Sequence, residues 1–197
     1  MRARVIVFYV IYSFLNDKFV IRLDNLNYDN TVYLLNSIFT IFEYLFFTSF
    51  IFISIQNKNF KKFIVFCSIL FIAFSIYFYI SSSRSGFDSL PASLESILII
   101  IYCIFSLYEQ LDSPPTNYVY NFADFWFTIG FLVYLAGTFF LFLQAADMTT
   151  EVKDYFWRIN LICNILKNIF FAIAFYLPNK SGKSTLADTY EKNQITY

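Results

Sequence analysis

Apolar residues in this chain are gathered into six long segments that are separated by short polar stretches. A hydrocarbon core needs about 20 residues of α-helix to cross it, because each residue adds about 1.5 Å to the helix. The pattern therefore predicts an all-α fold, a polytopic transmembrane helical bundle of about six spans. The predicted helices cover residues 5–21, 31–55, 63–80, 90–111, 122–146 and 155–177.

The composition agrees with a membrane environment. Of the 197 residues, 58% are hydrophobic and only 14% are charged, whereas a soluble domain averages about 45–50% apolar and about 25% charged residues. The formal net charge is zero, so no long-range field attracts the chain to nucleic acid. We expect the lipid bilayer to be its main partner, together with another membrane protein or a second copy of the chain.

The residue types exclude several kinds of chemistry. The chain has no histidine, which removes histidine metal sites and the usual nucleophile–base pairs. Its three cysteines lie in separate apolar segments, where a cysteine usually behaves as a small hydrophobic residue. The sequence therefore predicts no catalytic residue, no metal site and no cofactor, and a protein that is not an enzyme.

The predicted organisation is one helical bundle over residues 1–178 followed by a polar, mobile cytoplasmic tail over residues 179–197. The first segment is the weakest of the six, because the polar residues 16–18 interrupt it. It begins like a signal peptide but lacks a small-x-small cleavage site, so an uncleaved helix is the better interpretation.

The loop charges predict an orientation. In a six-span topology, eight Lys and Arg residues lie on the side of the termini and five on the other side, with Lys167 left out because it falls within a span. Basic loops stay in the cytoplasm. We therefore expect a multi-pass membrane protein with both termini in the cytoplasm.

Polar residues recur at helical spacing inside several spans, which places them on one face of each helix. The second span has such a stripe opposite a face of Phe, Leu and Ile, and the fourth and sixth spans have their own. The candidate intramembrane residues are Asn36, Thr40 and Glu43 in the second span, Glu95 in the fourth, and Arg158, Asn160, Asn164, Lys167 and Asn168 in the sixth.

Two of the four charged candidates, Glu43 and Lys167, lie at matching depth near the midplane. Glu43 lies about 18 Å and Lys167 about 20 Å into helices that start from the same side, at about 1.5 Å per residue. An ionised side chain at the bilayer centre costs about 2.5–3.5 kcal/mol on insertion scales. We therefore predict that Glu43 faces a polar interior and contacts Lys167 or the asparagines of the sixth span. Glu95 and Arg158 lie nearer that side and are expected to meet each other.

Two interpretations of these residues stay open. Polar side chains hold membrane helices together, each contributing about 0.6–2 kcal/mol. Ionisable groups inside a membrane also mark binding sites and proton-responsive sites. In the fifth span, Gly130 and Gly137 are small residues on one face, which favours close packing of helices over contact with a ligand.

The segments "FEYLFF", "SLESILIIIY", "FADFWFTIGFLVYLAGTFFLF" and "YFWRINLICNILKNIFFAIAFY" together resemble a group of small bacterial polytopic inner-membrane proteins with no assigned activity. Their general build is similar to the membrane-embedded sensory regions of some histidine kinases. The resemblance covers spans two to six, and it carries over no functional residue. It implies one further N-terminal helix, so a late start of the chain is one explanation of the interrupted first segment. The sequence shows no kinase, cyclase or response domain after residue 177, so we expect any signal to pass to a partner.

Three functions are compatible with these patterns. A sensor-like or interaction subunit without its own catalytic domain fits the polar bundle interior and is the preferred interpretation. A small-solute or ion transporter or channel subunit would use the midplane charges, although the sequence has neither an internal repeat nor a Gly- or Pro-broken helix. A lipid-modifying enzyme is the least favoured, since no nucleophile–base constellation is present.

Overall fold

The protein is described by a computed structural model that covers residues 2–24, 26, 28–82, 89–112, 118–144 and 150–177. The described residues form six α-helices and one short 3₁₀ helix, Val119–Asn121, with no strand among them. The α-helices are α1 (Arg2–Asp24), α2 (Asp29–Ser54), α3 (Lys58–Ser81), α4 (Ser89–Asp112), α5 (Ala123–Gln144) and α6 (Thr150–Phe175). The predicted all-α class and the predicted six helices are confirmed. The predicted tail, residues 179–197, lies outside the described residues.

Five of the helices, α2 to α6, are long and apolar enough to cross a membrane. Large apolar side chains cover their outer faces; on α3, Phe66, Ile69 and Tyr77 are all exposed. Such a continuous apolar surface is unfavourable in water and suits contact with lipid. The chain is therefore a membrane protein. The helix α1 is not among the five, and its second half carries Asp17, Lys18 and further charged residues.

The helix α1 packs antiparallel to α2. Tyr9 stacks on Phe46 with ring centroids 4.6 Å apart, and Tyr12 packs against Phe42 at 4.4 Å, so that later residues of α1 meet earlier residues of α2. The predicted interruption at residues 16–18 does not end the helix, which continues to Asp24. Asn, Asp and Lys weaken a helix only slightly, whereas Pro, which would break it, is absent from this segment. This packing puts α1 at the same level as the apolar α2.

The remaining helices pack around α2 and α5. The helix α2 contacts α1, α3, α4 and α5, and α5 packs most extensively against α4 and α6. Between α2, α5 and α6 lies a cluster of interlocking aromatic rings. Its members are Phe47, Phe50, Phe127, Phe131 and Phe171.

The turn between α2 and α3 is fixed by two side chains. The Asn57 side chain accepts hydrogen bonds from the backbone N–H groups of Asn59 and Phe60, which makes it the N-cap of α3. The Glu109 carboxylate accepts the N–H groups of Gln56 and Asn57 at 2.7 and 2.8 Å. This explains why α3 begins at Lys58, earlier than the predicted residue 63, and it ties the end of α4 to the turn.

The predicted close approach at the two glycines is found between α5 and α6. A methyl group at Gly137 would lie 2.5 Å from the Cys163 sulfur, and one at Gly130 would lie 2.9 Å from the Phe171 ring. Contacts below 3.0 Å require one of the groups to move. The two helices thus depend on glycine for their separation.

We predict that Gly137→Ala destabilises the bundle by about 1–3 kcal/mol, the usual cost of overpacking. The added methyl group has to displace Cys163 and with it α6, because the cysteine side chain is short. Unfolding of the purified protein in mixed micelles, with a rising fraction of denaturing detergent, measures the change.

The control is the same substitution in a Cys163→Ala background, where the clashing sulfur is gone. We expect the two substitutions together to cost less than the sum of the single ones, which is the sign of direct coupling in a double-mutant cycle. Equal costs in both backgrounds would contradict the contact between Gly137 and Cys163.

Candidate functional site

Three buried polar side chains from three helices meet inside the bundle. Tyr9 of α1, Glu43 of α2 and Lys167 of α6 are 0%, 5% and 1% exposed. The stripe that carries Glu43 places it toward the interior, because the opposite face of α2 is apolar. Antiparallel packing of α1 on α2 then brings Tyr9 alongside Glu43.

Two hydrogen bonds link the three residues in a chain that runs from Lys167 through Tyr9 to Glu43. The Lys167 ammonium donates a hydrogen bond to the Tyr9 hydroxyl oxygen at 3.0 Å, and the Tyr9 hydroxyl donates a hydrogen bond to Glu43 Oε1. The tyrosine therefore uses both its acceptor and its donor capacity. We call Lys167, Tyr9 and Glu43 the relay.

Aromatic rings surround the lysine end of the relay. Lys167 Nζ lies 3.9 Å from the centre of the Tyr134 ring, 5.0 Å from that of Tyr9 and 5.9 Å from that of Phe47. A cation over an aromatic face gains about 2 kcal/mol or more when it is removed from water. These rings and the tyrosine hydroxyl supply part of what the ammonium loses on leaving water.

Carboxylates from three helices lie near Lys167. Three acids lie within electrostatic range of Lys167: Glu43 of α2, Asp17 of α1 and Glu95 of α4. Glu95 is buried, whereas the Asp17 side chain is exposed. Carboxylates of three other helices therefore contribute to the stabilisation of the buried ammonium.

A recess of about 120 Å³ separates α1 from α6 and reaches the relay. It is partly open to the outside of the bundle, and its lining mixes polar and apolar side chains. The lining residues are Tyr9, Val10, Ser13, Phe14 and Asp17 of α1 with Asn164, Lys167 and Asn168 of α6.

The predicted link between Glu43 and Lys167 passes through a third residue, Tyr9, which was not predicted from the sequence. The carboxylate faces the interior, and its connection with the ammonium passes through the Tyr9 hydroxyl. The ammonium thus reaches the carboxylate by way of a side chain of α1.

The asparagines of α6 take different positions. Asn164 and Asn168 line the recess, and the Asn168 amide donates to Asn164 Oδ1 at a long 3.5 Å. Asn160 is half-buried, and within the described residues its Oδ1 atom has no hydrogen-bond partner. The structure therefore brings two of the three next to the relay.

The other candidates belong to α2, α4 and α6. The Thr40 hydroxyl donates to the Asn36 carbonyl within α2 at 3.1 Å, which is a local bond. The expected meeting of Glu95 with Arg158 is wrong, since Glu95 is 3% exposed and Arg158 is exposed on the outside of α6. The reason is that α5 packs between α4 and α6.

Sequence reasoning missed Tyr9, the centre of the relay, among sixteen tyrosines. One signal was available, since Tyr9, Ser13 and Asp17 recur at intervals of four and therefore share one face of a helix. All three line the recess. Tyr134, whose ring lies against the Lys167 ammonium, was also absent from the predicted residues.

We predict that Tyr9→Phe lowers the free energy of unfolding by about 2–4 kcal/mol, because it leaves a buried ammonium and a buried carboxylate without their bridging hydroxyl. The ring itself is retained, so the stacking on Phe46 should persist. Unfolding in mixed micelles measures the loss.

Tyr12→Phe is the matched control. Tyr12 lies one turn further along α1 and packs its ring on Phe42 and Phe39, and we expect its substitution to cost much less. Similar losses for both variants would show that the Tyr9 hydroxyl has no special role.

Comparison of the chain with protein-family models, with characterised proteins and with solved structures finds no match. The candidate site therefore rests on the geometry described above. The resemblance to small bacterial inner-membrane proteins stays a prediction.

Proposed function

We propose that this protein is an integral protein of a bacterial inner membrane that acts as a sensor-like or interaction subunit without a catalytic domain of its own. The observation that carries the proposal is the relay, which connects α1 to α6 across a recess. The responsive element in this proposal is α1, and its partner is another membrane protein or a second copy of the chain.

The packing of α1 supports this role. Along its length α1 packs on α2, while Tyr9 reaches Lys167 across the recess. Among the described residues, rings hold α1 on the side of α2, and the hydrogen bond between Tyr9 and Lys167 holds it on the side of α6. A helix held in this way can shift when that hydrogen bond changes. A local change of charge or occupancy that biases an element with two positions is a common basis of switching.

The relay also connects that shift to charge. Gain or loss of a proton at Glu43 would change the hydrogen bond that Tyr9 donates, and the same hydroxyl holds Lys167. Charged and titratable groups of four helices belong to the relay or lie near it. They are Tyr9 and Asp17 of α1, Glu95 of α4, Tyr134 of α5 and Lys167 of α6. The position of α1 and the protonation of Glu43 would thus depend on each other.

We predict that Glu43→Gln lowers the amount of a partner protein recovered with the chain, while the free energy of unfolding changes little. Glutamine has almost the same size as glutamate, but it lacks the negative charge that accepts the hydrogen bond from Tyr9. The measurement is native mass spectrometry of the tagged protein, extracted in mild detergent from its own membrane, together with unfolding of the same samples.

Asn57→Ala serves as the control, since it removes the N-cap of α3 and leaves the side chains of the relay unchanged. If recovery of the partner falls in step with stability in both variants, the relay is only structural. If the wild-type protein carries no partner and forms no oligomer, the interaction role is wrong.

We also propose that α1 is a sixth span and that both termini lie in the cytoplasm. Packing along α2 supports the first statement, and the excess of basic residues on the side of the termini supports the second.

A labelling experiment tests this topology. Leu26 lies between α1 and α2, and Tyr176 follows α6; both are exposed. In membrane vesicles, we expect Leu26→Cys to be labelled from the outer side, and both Tyr176→Cys and an N-terminal tag to be reached from the cytoplasmic side. A tag on the same side as Leu26→Cys would show that α1 does not cross.

The second candidate is a small-solute or ion transporter or channel subunit. The recess favours it, because it leads from the outside of the bundle to buried charges. Flux into liposomes that contain the purified protein, compared between wild type and Glu43→Gln, distinguishes this function from that of an interaction subunit.

A further inference from the structure

We propose that a second copy of this chain packs against α6 along a stripe of four residues, which we call the α6 seam. Its residues are Leu161, Asn164, Asn168 and Phe175. The inference deepens the proposed function, on which it rests, because it names the interaction surface and chooses one of the two kinds of partner. The two asparagines also line the recess, so a copy on the α6 seam would lie beside α1, the responsive element.

The two asparagines lie near the middle of the membrane. The apolar span of α6 runs from Phe156 to Phe175, and Asn164 and Asn168 are the ninth and thirteenth of its 20 residues. At about 1.5 Å per residue, both lie within about 4 Å of its midpoint. Asn168 is exposed and Asn164 is half-buried. Lipid at this depth offers no hydrogen bond to an amide, so its exposure there is unfavourable.

The bundle itself uses little of the hydrogen-bonding capacity of these amides. Among the described residues, the long contact of 3.5 Å from the Asn168 amide to Asn164 Oδ1 is the only hydrogen bond of the two side chains. A side-chain amide has one carbonyl oxygen and two N–H groups. The Asn168 carbonyl and the Asn164 NH₂ group therefore remain available to a partner.

The α6 seam has the spacing of a surface on which two helices pack. Its residues follow one another at intervals of three, four and seven, which is the repeat of a seam between two packed helices. Leu161 and Phe175 are 60% and 42% exposed, so large apolar side chains lie on both sides of the amides. Apolar contacts at the ends and hydrogen bonds in the centre are the two contributions that hold membrane helices together.

Symmetry selects a second copy as the partner. Two copies inserted in the same orientation are related by a two-fold axis along the membrane normal, so residues of equal depth meet their own counterparts. A charged side chain at such a contact would repel its copy, whereas all four residues of the α6 seam are neutral. An amide donates and accepts, so Asn164 and Asn168 can each pair with the same residue of the other copy. Buried asparagines of this kind fix the register and the number of packed helices.

Cross-linking in the membrane tests the position of the seam. A Leu161→Cys thiol meets its counterpart if two copies pack here, and an added oxidant then joins them by a disulfide. Ile162→Cys is the matched control, because Ile162 is 57% exposed but points about 100° away around the helix. The wild-type chain gives the background, since its own three cysteines are buried or half-buried.

We expect a product of twice the mass of the chain from Leu161→Cys and much less of it from Ile162→Cys. Equal yields would indicate random collision and would overturn the seam. A product that joins the chain to a different protein would assign the seam to that protein and overturn the second copy.

Dilution in lipid tests the amides. Asn164→Leu and Asn168→Leu, combined in one variant, nearly keep the side-chain volume and remove the hydrogen bonds between copies. Energy transfer between fluorophores on Tyr176→Cys, followed as the lipid fraction rises, gives the dissociation constant of the dimer. We expect the combined variant to raise it about tenfold or more.

Asn160→Leu is the control for this variant, because Asn160 lies outside the α6 seam and its Oδ1 atom is buried. We expect it to leave the dissociation constant unchanged. Equal dissociation constants in the wild type and the combined variant would contradict pairing of the amides. The cross-linking result is independent of these variants, since it leaves both asparagines in place.

The two proposals fail separately. A chain that recovers a different membrane protein in a Glu43-dependent way, without cross-linking through Leu161→Cys, retains the proposed function and loses the seam. A chain that dimerises through the seam to the same extent in Glu43→Gln retains the seam and loses the responsive role of the relay.

Discussion

The structure depends on the burial of the Lys167 ammonium in the middle of the bundle. An isolated ammonium in an apolar medium is strongly unfavourable, so its surroundings have to supply hydrogen bonds and opposite charge. Four other helices do so: α1 with a hydroxyl, α2 with a carboxylate and a ring, α4 with a carboxylate, and α5 with a ring face. A single side chain thus specifies how five helices are placed around one another.

Two adjacent residues of α2 make polar contacts with three other helices, α1, α3 and α4. Glu43 is directed toward α1 and the relay, while Tyr44 contacts Ser68 of α3 at 2.9 Å and Tyr102 of α4 at 3.3 Å. Adjacent residues of a helix point about 100° apart, so one turn of α2 serves both halves of the bundle. Lipid offers no hydrophobic force between helices, and polar contacts of this kind therefore carry much of their specificity.

The sequence predicted the helices well because apolar segments of membrane length are difficult to misread. Their ends were less accurate; α3 begins at Lys58 because the Asn57 cap and the Glu109 carboxylate fix the preceding turn, and the latter contact joins residues distant in sequence. The depths of Glu43 and Lys167 were also predictable from helix geometry. Tyr9 was not, because a tyrosine in an apolar segment resembles an ordinary packing residue until its neighbours are known. The expected meeting of Glu95 and Arg158 failed for the same reason, since depth alone does not show which helix lies between two others.

The hydrogen bond between Lys167 and Tyr9 joins residues 158 positions apart, and this separation has a consequence for biosynthesis. Ribosomes make α1 and α2 long before α6. During that interval Glu43 has the Tyr9 hydroxyl as its neighbour but no ammonium, and the aromatic contacts between Tyr9, Tyr12 and α2 keep the two helices together as a hairpin. Insertion of the last helix then delivers the missing cation. A chain whose synthesis stops before α6 would display an acidic group inside the membrane with no base to match it, and so would differ chemically from a finished one.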